Sequence, residues 1–507
     1  MAQSSVMMFQ SVTTSAPDGS TGFENEKAEN TQAPDYAAPH DFVSADFLSW
    51  LDQQQGRQYE LHARHVNPAF VKMLRTIGFD KQYVRGEGCY LFDRSGNRYL
   101  DLLTGWGVFA LGRNHPKVRS ILEQILSRQM PNLVRMDCSL LAGLVAEKLT
   151  SHTEMKGHNG LCRVFFCNSG TETVESAIKF ARCFTGKSRI LYCEHAFHGL
   201  TTGSLSLNGA EFFRERFGEL MPGTSAVAFN DLASLEEALA RKDVAAFIVE
   251  PVQGKSCDVV ANGYLAEAQR LCHKAGALLI ADEVQCGLGR TGRWFAYHHS
   301  PNVEPDIVCT AKALSGGYVP VGAVITNPKI MDAVFNSMER CVVHSNTFGQ
   351  NDLAMAAALG TLHVMEEDHL VENADRLGCY AIDQLRKIGS SCPFVSEVRG
   401  RGLMFGIDFK RPEQSLKLKA AWDTLHTLNF GVFSQMLIMP LLHRHRILTQ
   451  VAGYHTEVIK FLPPLIINQE EVDTFLGAMR QVLEDVQKVP GTMWTTFAGL
   501  AKGALRA

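Results

Sequence analysis

Several common features are missing from this 507-residue sequence, and each absence argues against a class of protein. No apolar run is long and clean enough to cross a bilayer, so a membrane protein is not expected. The formal net charge of −4 is small for this length and gives no reason to expect nucleic acid or an anionic membrane as a partner. No lysine or arginine precedes Lys27, which argues against a secretory signal or an arginine-rich transit peptide.

The cysteines also lack a pattern. Their number, 13, is odd, and no two are spaced as Cys-x-x-Cys. Cysteines without a framework in a long chain, several of them within apolar runs, are typical of reduced thiols in a reducing compartment. A cytoplasmic protein is therefore predicted. The composition is that of an ordinary globular protein, with 46% hydrophobic and 20% charged residues.

The pattern of apolar residues predicts an α/β fold with a mostly parallel sheet. Residues 1–45 are rich in small and polar residues and are interpreted as a flexible tail. A hairpin follows at 89–93 and 99–101 around a Gly-Asn turn, and a helix is predicted after Pro116. Short apolar runs then alternate with helical spacing, which is typical of strands covered by helices. The strands are predicted at 164–167, 189–192, 246–249, 277–280 and 307–308, with a helix at 171–184.

The polar residues that interrupt this pattern lie just after the predicted strands, where parallel sheets bind ligands. Gly170 and Thr171 open a helix, so their backbone N–H groups suit a phosphate, although an ordinary N-cap alone would also explain these residues and is the simpler interpretation. Asp282 ends an apolar strand and requires a charged partner, either a buried basic side chain or a protonated pyridine nitrogen. Lys312 follows another strand and has two possible roles. A desolvated lysine has a lowered pKa and can form a Schiff base. The alternative is an ordinary solvated lysine in a loop, as most lysines are.

Taken together, the motifs resemble those of the class III aminotransferases, most closely the ornithine, acetylornithine and putrescine branch, over roughly residues 60–480. The resemblance rests on the ordered set Gly170-Thr-Glu, Ala196-Phe-His-Gly, Glu250-Pro-Val-Gln-Gly, Asp282-Glu-Val-Gln, Gly287-Leu-Gly-Arg-Thr-Gly, Lys312, Thr347-Phe-Gly and Val398-Arg-Gly-Arg-Gly. It implies a fold-type I enzyme that depends on pyridoxal 5′-phosphate. It also implies a large parallel-sheet domain at 101–365 and a small α+β domain built from 46–100 and 366–507.

The resemblance further implies roles for the matched residues. Lys312 would hold the cofactor in a Schiff base and move a proton, and Asp282 would keep the pyridine nitrogen protonated. Phe197 and Val284 would enclose the ring, with Gln285 near its phenolic oxygen and His198 at the same site. The phosphate would be bound by Ser169, Gly170, Thr171 and, from the neighbouring subunit of a homodimer with shared active sites, Thr347.

The substrate end is inferred in the same way. Arg399 matches an arginine that takes the carboxylate of glutamate or 2-oxoglutarate, and Glu250 would pair with it when no carboxylate is present. Trp106 is large for a pocket residue, and either shortens the pocket or fills the core. Lys255 and Gln350 depart from the usual family pattern. The predicted partners are therefore a small amino donor, with a terminal amine, and a 2-oxo acid acceptor.

Other chemistries stay open at this stage. The same lysine and cofactor support elimination, C–C bond formation, racemisation or amino-group migration, since all pass through a stabilised carbanion. A non-catalytic binding protein is a third reading. No metal is expected: His195 and His198 with Cys193 are interpreted as a turn at the cofactor site, and His298 and His299 as surface residues.

Overall fold

A computed structural model describes residues 46–134, 136–155, 162–426, 432–453, 457–491 and 493–495. The predicted tail, residues 1–45, lies outside this part of the chain. The described strands and helices are α1 (Phe47–Gln54), α2 (Gln58–His65), α3 (Pro68–Thr76), β1 (Tyr83–Glu87), β2 (Tyr90–Asp93), β3 (Arg98–Asp101), α4 (Thr104–Gly107), α5 (Pro116–Ser127), α6 (Leu140–Ser151), β4 (Arg163–Cys167), α7 (Gly170–Thr185), β5 (Arg189–Cys193), α8 (Thr202–Leu205), β6 (Thr224–Val227), α9 (Leu232–Leu239), β7 (Val244–Val249), α10 (Tyr264–Lys274), β8 (Leu278–Asp282), β9 (Ile307–Thr310), β10 (Gly322–Thr326), α11 (Pro328–Val334), α12 (Asp352–Glu367), α13 (Leu370–Gly389), β11 (Val395–Arg401), β12 (Met404–Phe409), α14 (Leu416–His426), α15 (Val432–His443), β13 (Ile447–Leu448), β14 (Gln450–Val451), β15 (Val458–Phe461) and α16 (Gln469–Val486).

The centre of the molecule is a seven-stranded sheet with the order β4-β10-β9-β8-β7-β5-β6. The pairs among β5 to β9 are parallel, and β10 is antiparallel to both of its neighbours. All six residues of β7 are buried, which explains its unbroken apolar sequence, because helices cover both faces of such a sheet. The predicted mostly parallel sheet is confirmed. The strands β6 and β10 were not predicted: β6 contains a single large apolar residue, Val227, whereas β10 contains an apolar run, Ala323-Val-Ile325, that did signal a strand.

The helix α7 illustrates how the local sequence positions the functional end of the sheet. Ser169 is its N-cap and accepts a hydrogen bond from the backbone N–H of Glu172. Gly186 ends the helix with a φ of +67°, a conformation that glycine adopts without strain. The apolar stripe predicted from the sequence faces the core, with Val174, Ala177, Ile178 and Ala181 buried. The beginning of α7 is thereby fixed directly after β4.

Two smaller sheets lie outside the central one. The first has the order β1-β2-β3-β13, so strands from both parts of the chain share one sheet, and β13 runs parallel to β3. The second, β11-β12-β15-β14, is antiparallel, and α13 packs against its first strand. The predicted hairpin around the Gly-Asn turn is confirmed as β2 and β3. The helices α1 to α3 were not predicted.

A buried ion pair fixes the turn that follows β3. Asp101 is 1% exposed, and its carboxylate accepts hydrogen bonds from Arg113 Nη2 at 2.7 Å and Nε at 3.1 Å. The other oxygen accepts from the backbone N–H groups of Leu103 and Thr104. This one side chain therefore joins the end of the hairpin to the segment that carries Trp106.

We expect Asp101→Asn to lower the free energy of unfolding by about 1–3 kcal/mol, because the amide keeps the backbone hydrogen bonds but loses the charge opposite Arg113. Urea denaturation measures this difference. The matched control is Glu87→Gln, which removes the exposed pair with Arg85 and should change the free energy by less than about 0.5 kcal/mol. Equal effects of the two substitutions would contradict the structural role assigned to Asp101.

Candidate active site

A cavity of about 320 Å³ opens at the carboxyl end of the central sheet. This volume lies at the lower end of the range for ligand pockets, about 300–1,000 Å³. Nine residues predicted from the sequence line the cavity, together with three that were not predicted, Gly199, Leu200 and Gly254. The nine are Gly170, Thr171, Phe197, His198, Glu250, Asp282, Val284, Gln285 and Lys312.

Lys312 lies two residues beyond β9, at the start of a short 3₁₀ turn that ends at Ser315. Its φ is +41°, a conformation that is unusual for a residue with a side chain and is held here by the packing of α12 over the turn. Burial lowers the pKa of Lys312, while the nearby charges of Asp282 and Glu250 oppose that shift. The amine is thus shifted toward its neutral, nucleophilic form.

Asp282 ends β8 and is bound on both sides. Its Oδ2 lies 2.7 Å from Nδ1 of His198, and its Oδ1 accepts a hydrogen bond from the backbone N–H of Val284 at 3.0 Å. Burial alone would lower the pKa of His198, but the hydrogen bond to Asp282 and the charges of Asp282 and Glu250 raise it. The sequence left two partners open for Asp282, a buried basic side chain or a protonated pyridine nitrogen. The structure shows the first of these, His198. His198 follows the apolar β5 region by a tight turn at His195, whose φ is +60°.

The beginning of α7 forms one end of the cavity. A Cβ on Gly170 would lie 2.6 Å from Cγ1 of Val284, so no larger residue fits between the helix and this wall. Thr171 Oγ1 lies 2.7 Å from Ser204 Oγ, and a Cβ on Gly199 would lie 2.3 Å from the same Thr171 oxygen. Backbone N–H groups and a hydroxyl thus converge at a helix N-terminus, the usual arrangement for a phosphate. Ser169 caps the helix and is not among the lining residues.

Gln285 connects the cavity to the part of the chain that follows residue 440. Its Oε1 accepts a hydrogen bond from Nζ of Lys460 at 3.0 Å, and its Nε2 donates to the backbone oxygen of Trp106 at 3.2 Å. Trp106 has a φ of +65°, and its Nε1 donates to Oε1 of Gln450 at 2.7 Å. Trp106 is partly exposed rather than core-filling, and it borders the cavity through Gln285. Lys460 was not predicted, because a lysine within an apolar strand carries no signal of its partner.

Glu250 and Arg399 have separate partners in this structure. The Glu250 carboxylate accepts hydrogen bonds from the backbone N–H groups of Phe197, at 3.0 Å, and Gly254, at 2.8 Å. Burial raises the pKa of Glu250. Arg399 is bound by three carboxylates and by the backbone oxygen of Ser256 at 2.9 Å. The three are those of Asp258, Glu397 and Asp408. The expected pair between Glu250 and Arg399 is therefore not formed here, because each side chain is already bound elsewhere.

Other predicted positions lie away from the cavity. Thr347 is exposed, in a loop on the surface. The Gly287–Gly292 segment forms turns rather than opening a helix, as expected from its context. The prediction that His298 and His299 are surface residues is wrong: both are half-buried, and their Nε2 atoms lie within hydrogen-bonding distance of the backbone oxygens of Thr153 and Thr291.

Neither a metal-ion site nor a membrane-spanning helix is found among the described residues. Within those residues, no group of three or more His, Cys, Asp or Glu side chains is placed to hold a metal ion. None of the helices in the described ranges is both long and apolar enough to cross a membrane. All 13 cysteines are free thiols.

Comparison with known proteins places this chain in a family. Residues 77–483 match the family model for class III aminotransferases. The aminotransferase PigE of a Serratia species is 34% identical over 480 residues, which is 87% of this chain and 56% of that protein. The chain therefore spans only about half the length of this relative.

Solved structures agree with that assignment. The ornithine aminotransferase of Toxoplasma gondii superimposes with a TM-score of 0.72 at 28% identity, covering 87% of this chain and 99% of the other. An amine transaminase from an uncultivated Pseudomonas species, solved in its PLP-bound form, gives a TM-score of 0.68 at 28% identity, covering 80% and 96%. The cofactor of this family and fold is pyridoxal 5′-phosphate. The chain belongs to the class III aminotransferases and has their fold-type I architecture.

Proposed function

We propose that this chain is an aminotransferase that uses pyridoxal 5′-phosphate to move an amino group from a small donor with a terminal amine to a 2-oxo acid such as 2-oxoglutarate. The observation that carries the proposal is the position of Lys312, which lies half-buried in the same cavity as Asp282 and has a lowered pKa. When bound, the cofactor supplies an electron sink for the carbon that loses its proton.

The residues of the cavity fit this cofactor. Val284 packs directly against Gly170, with no room for a Cβ between them, so the side chain of Val284 is held beside the beginning of α7. Gly170 and Thr171 would bind the phosphate at the positive end of α7, with Ser169 holding that end in place. Phe197 and Val284 would contact the faces of the ring, and Gln285 its phenolic oxygen. Asp282, held by His198, would face the pyridine nitrogen.

Lys312 would have two tasks. Its amine would hold the cofactor, and after the substrate has replaced it, the same amine would carry a proton away from the donor carbon and return it elsewhere. Both tasks require a neutral amine for part of the cycle, and burial favours that form.

The substrate end is assigned to Trp106, Glu250 and Arg399. Trp106 is held by Gln450 and accepts a hydrogen bond from the cavity residue Gln285, and from there it would limit the length of the donor. Glu250 would remain a fixed acceptor for backbone N–H groups near Phe197. Arg399 would bind a substrate carboxylate only by releasing one of the carboxylates that now bind it, such as Asp258 or Asp408.

We also propose a homodimer in the cytoplasm. Val134, Leu140 and Val342 are exposed and line one surface cavity of about 850 Å³, and Phe348, next to Thr347, is 62% exposed. Exposed apolar residues in one region are typical of a protein interface, and a second copy would bring Thr347 toward its partner's phosphate site. The unpaired thiols are consistent with a reducing compartment.

The function is tested with the purified full chain and single amines in the absence of acceptor: L-glutamate, L-ornithine, putrescine, γ-aminobutyrate, L-alanine and S-adenosylmethionine. We expect one donor to give its oxo product and to discharge the visible band of the bound cofactor. Borohydride reduction followed by mass spectrometry should place the cofactor on Lys312. Lys312→Ala should lose that attachment and slow amino transfer by more than about 10²-fold. The exposed control Lys274→Ala should change neither.

Two results would contradict the proposal in different ways. A chain that takes up the cofactor but consumes a donor without amino transfer would favour elimination or C–C bond formation on the same scaffold. A chain that binds no cofactor at all would favour the hypothesis of a non-catalytic binding protein.

The pair of His198 and Asp282 should make stability depend on pH. The pKa of His198 in the fold is raised above the value of about 6.5 expected for an unfolded chain. Protonated His198 therefore contributes its full stability below about pH 6.5, and this contribution is lost as the pH rises through the folded-state pKa. As the pH rises through the folded-state pKa of His198, we expect the difference in free energy of unfolding between the wild type and His198→Gln to shrink. In an Asp282→Asn background the difference should depend little on pH; a constant difference in both backgrounds would argue against the ion pair.

The dimer proposal is tested by placing a charge on the exposed apolar region. Val342 is 71% exposed, and we expect Val342→Asp to shift the chain from dimer to monomer in light scattering after gel filtration, because an unpaired carboxylate would be buried in the interface. The matched control is Leu416→Asp on α14, at 86% exposure, which should stay dimeric. A wild-type monomer at all concentrations, or a dimeric Val342→Asp, would refute this surface.

A further inference from the structure

Lys255 is a buried cation that the proposed mechanism does not use. It follows Gly254, which lines the cavity, and only 6% of Lys255 is exposed. Its Nζ has no hydrogen-bond partner among the described residues. The ammonium instead lies against two aromatic rings, 4.6 Å from the centroid of Phe197 and 4.4 Å from that of Phe213. An ammonium enclosed in this way lacks the acceptors that a buried charge requires.

The charges around Lys255 are mostly of the same sign. Burial lowers its pKa to about 7, and the charges of Lys460 and Lys312 act in the same direction, while Glu250 opposes them. Asp282, the other acidic residue of the cavity, is already bound to His198. Around Lys255 the basic groups therefore outnumber the acidic ones, which disfavours a second cation and favours an anion.

Arg399 lies nearby and differs from Lys255 in one respect. Its Nε donates to the backbone oxygen of Ser256, the residue after Lys255, so the two basic side chains flank the same short segment. Arg399 is bound by three carboxylates, whereas Lys255 has none within ion-pair distance in the described part of the chain. A substrate carboxylate arriving here gains a new hydrogen bond from Lys255 without displacing another anion. At Arg399 the substrate carboxylate would have to compete with the three carboxylates already bound there.

We propose that Lys255 is a specificity-determining residue that binds the carboxylate of the substrate at the far end from the reacting amine. The site would then select amino acids and their oxo counterparts over diamines of the same length. Lys255 itself is not among the residues that line the cavity, and the four rotatable bonds of its side chain would let the ammonium reach past the edge of Phe197 into it. This inference rests on the proposed function, because it names the substrate class for that reaction.

Three donors of equal length separate the contributions of charge and size: 5-aminopentanoate ends in a carboxylate, pentylamine in a methyl group and cadaverine in a second ammonium. In wild type we expect kcat/KM to fall in that order, with the carboxylate donor favoured over pentylamine by about 10- to 100-fold, the usual effect of a hydrogen bond to a buried charge.

Substitutions at position 255 should change this preference in a graded way. Lys255→Met fills the same space against the two rings but removes the charge, so kcat/KM for the carboxylate donor should fall, mainly through KM, by a larger factor than kcat/KM for pentylamine, and the preference should be lost. Lys255→Arg should retain much of the preference, and Lys255→Glu should shift it toward cadaverine. The exposed control Lys410→Met should behave as wild type. A purely structural lysine would lower turnover of the carboxylate donor and of pentylamine equally.

Binding of glutarate, an unreactive dicarboxylate, provides a measurement that does not depend on turnover. At about pH 8 Lys255 is mostly neutral, and a carboxylate beside it raises its pKa, so binding takes up a proton. Calorimetry of the cofactor-loaded protein in buffers of different ionisation enthalpy detects this uptake. Glu250, Lys312 and Lys460 act on the same region in every variant, so the diagnostic quantity is the part of the proton uptake that Lys255→Met removes. We expect that variant to bind glutarate about 10-fold or more weakly and to take up fewer protons.

The outcomes distinguish this inference from the proposed function. If wild type transfers the amino group of none of the three donors, nor of the six amines above, the proposed function fails. If it transfers amino groups but does not prefer the carboxylate donor, or if Lys255→Met keeps both the preference and the glutarate affinity, the inference about Lys255 fails and the function stands.

Discussion

The organisation of the site depends on neutralising charge at the carboxyl ends of buried strands. Asp282 terminates a strand with no exposed residue, where an unpaired carboxylate would cost several kcal/mol. The fold meets this requirement with His198, brought in by the tight turn after β5, and with the backbone N–H of Val284. The same pair fixes two walls of the cavity relative to each other. The position of Phe197, next to His198, follows from this constraint.

The cavity is also tied to the later part of the chain. Lys460, on β15, donates to Gln285 and to the backbone oxygen of Gly254, and Gln285 in turn donates to the backbone oxygen of Trp106. A fully buried lysine is costly unless its donors are satisfied, so these bonds hold three distant segments in one arrangement. Burial lowers the pKa of Lys460 to about 8. The rim of the cavity is thus formed only when the outer sheet packs against the central one.

The sequence predicted the parts of this site that depend on local pattern. Apolar runs identified five strands of the central sheet, and the polar residues that follow them converge on one cavity, as expected for the carboxyl ends of parallel strands. The partners of those residues could not be predicted. Nothing in the sequence near Asp282 points to His198, and nothing near Gln285 points to Lys460, because each pair is formed by chain segments that only the fold brings together. The same reason explains why Arg399 was paired with Glu250 from family resemblance, whereas Asp258, Glu397 and Asp408 hold it here.

These contacts also separate what the scaffold requires from what the substrate requires. Asp282, Gln285, Lys460 and Glu250 each have their hydrogen bonds supplied by the protein, so their geometry does not depend on which donor binds. Lys255 differs from these four residues, since its Nζ has no acceptor in the described part of the chain. A protein can retain such a group when a ligand supplies the missing partner, because the cost of the unpaired state is then recovered on binding. A diamine supplies no such partner and adds a second cation beside the lysines, so one residue both attracts one substrate class and disfavours another.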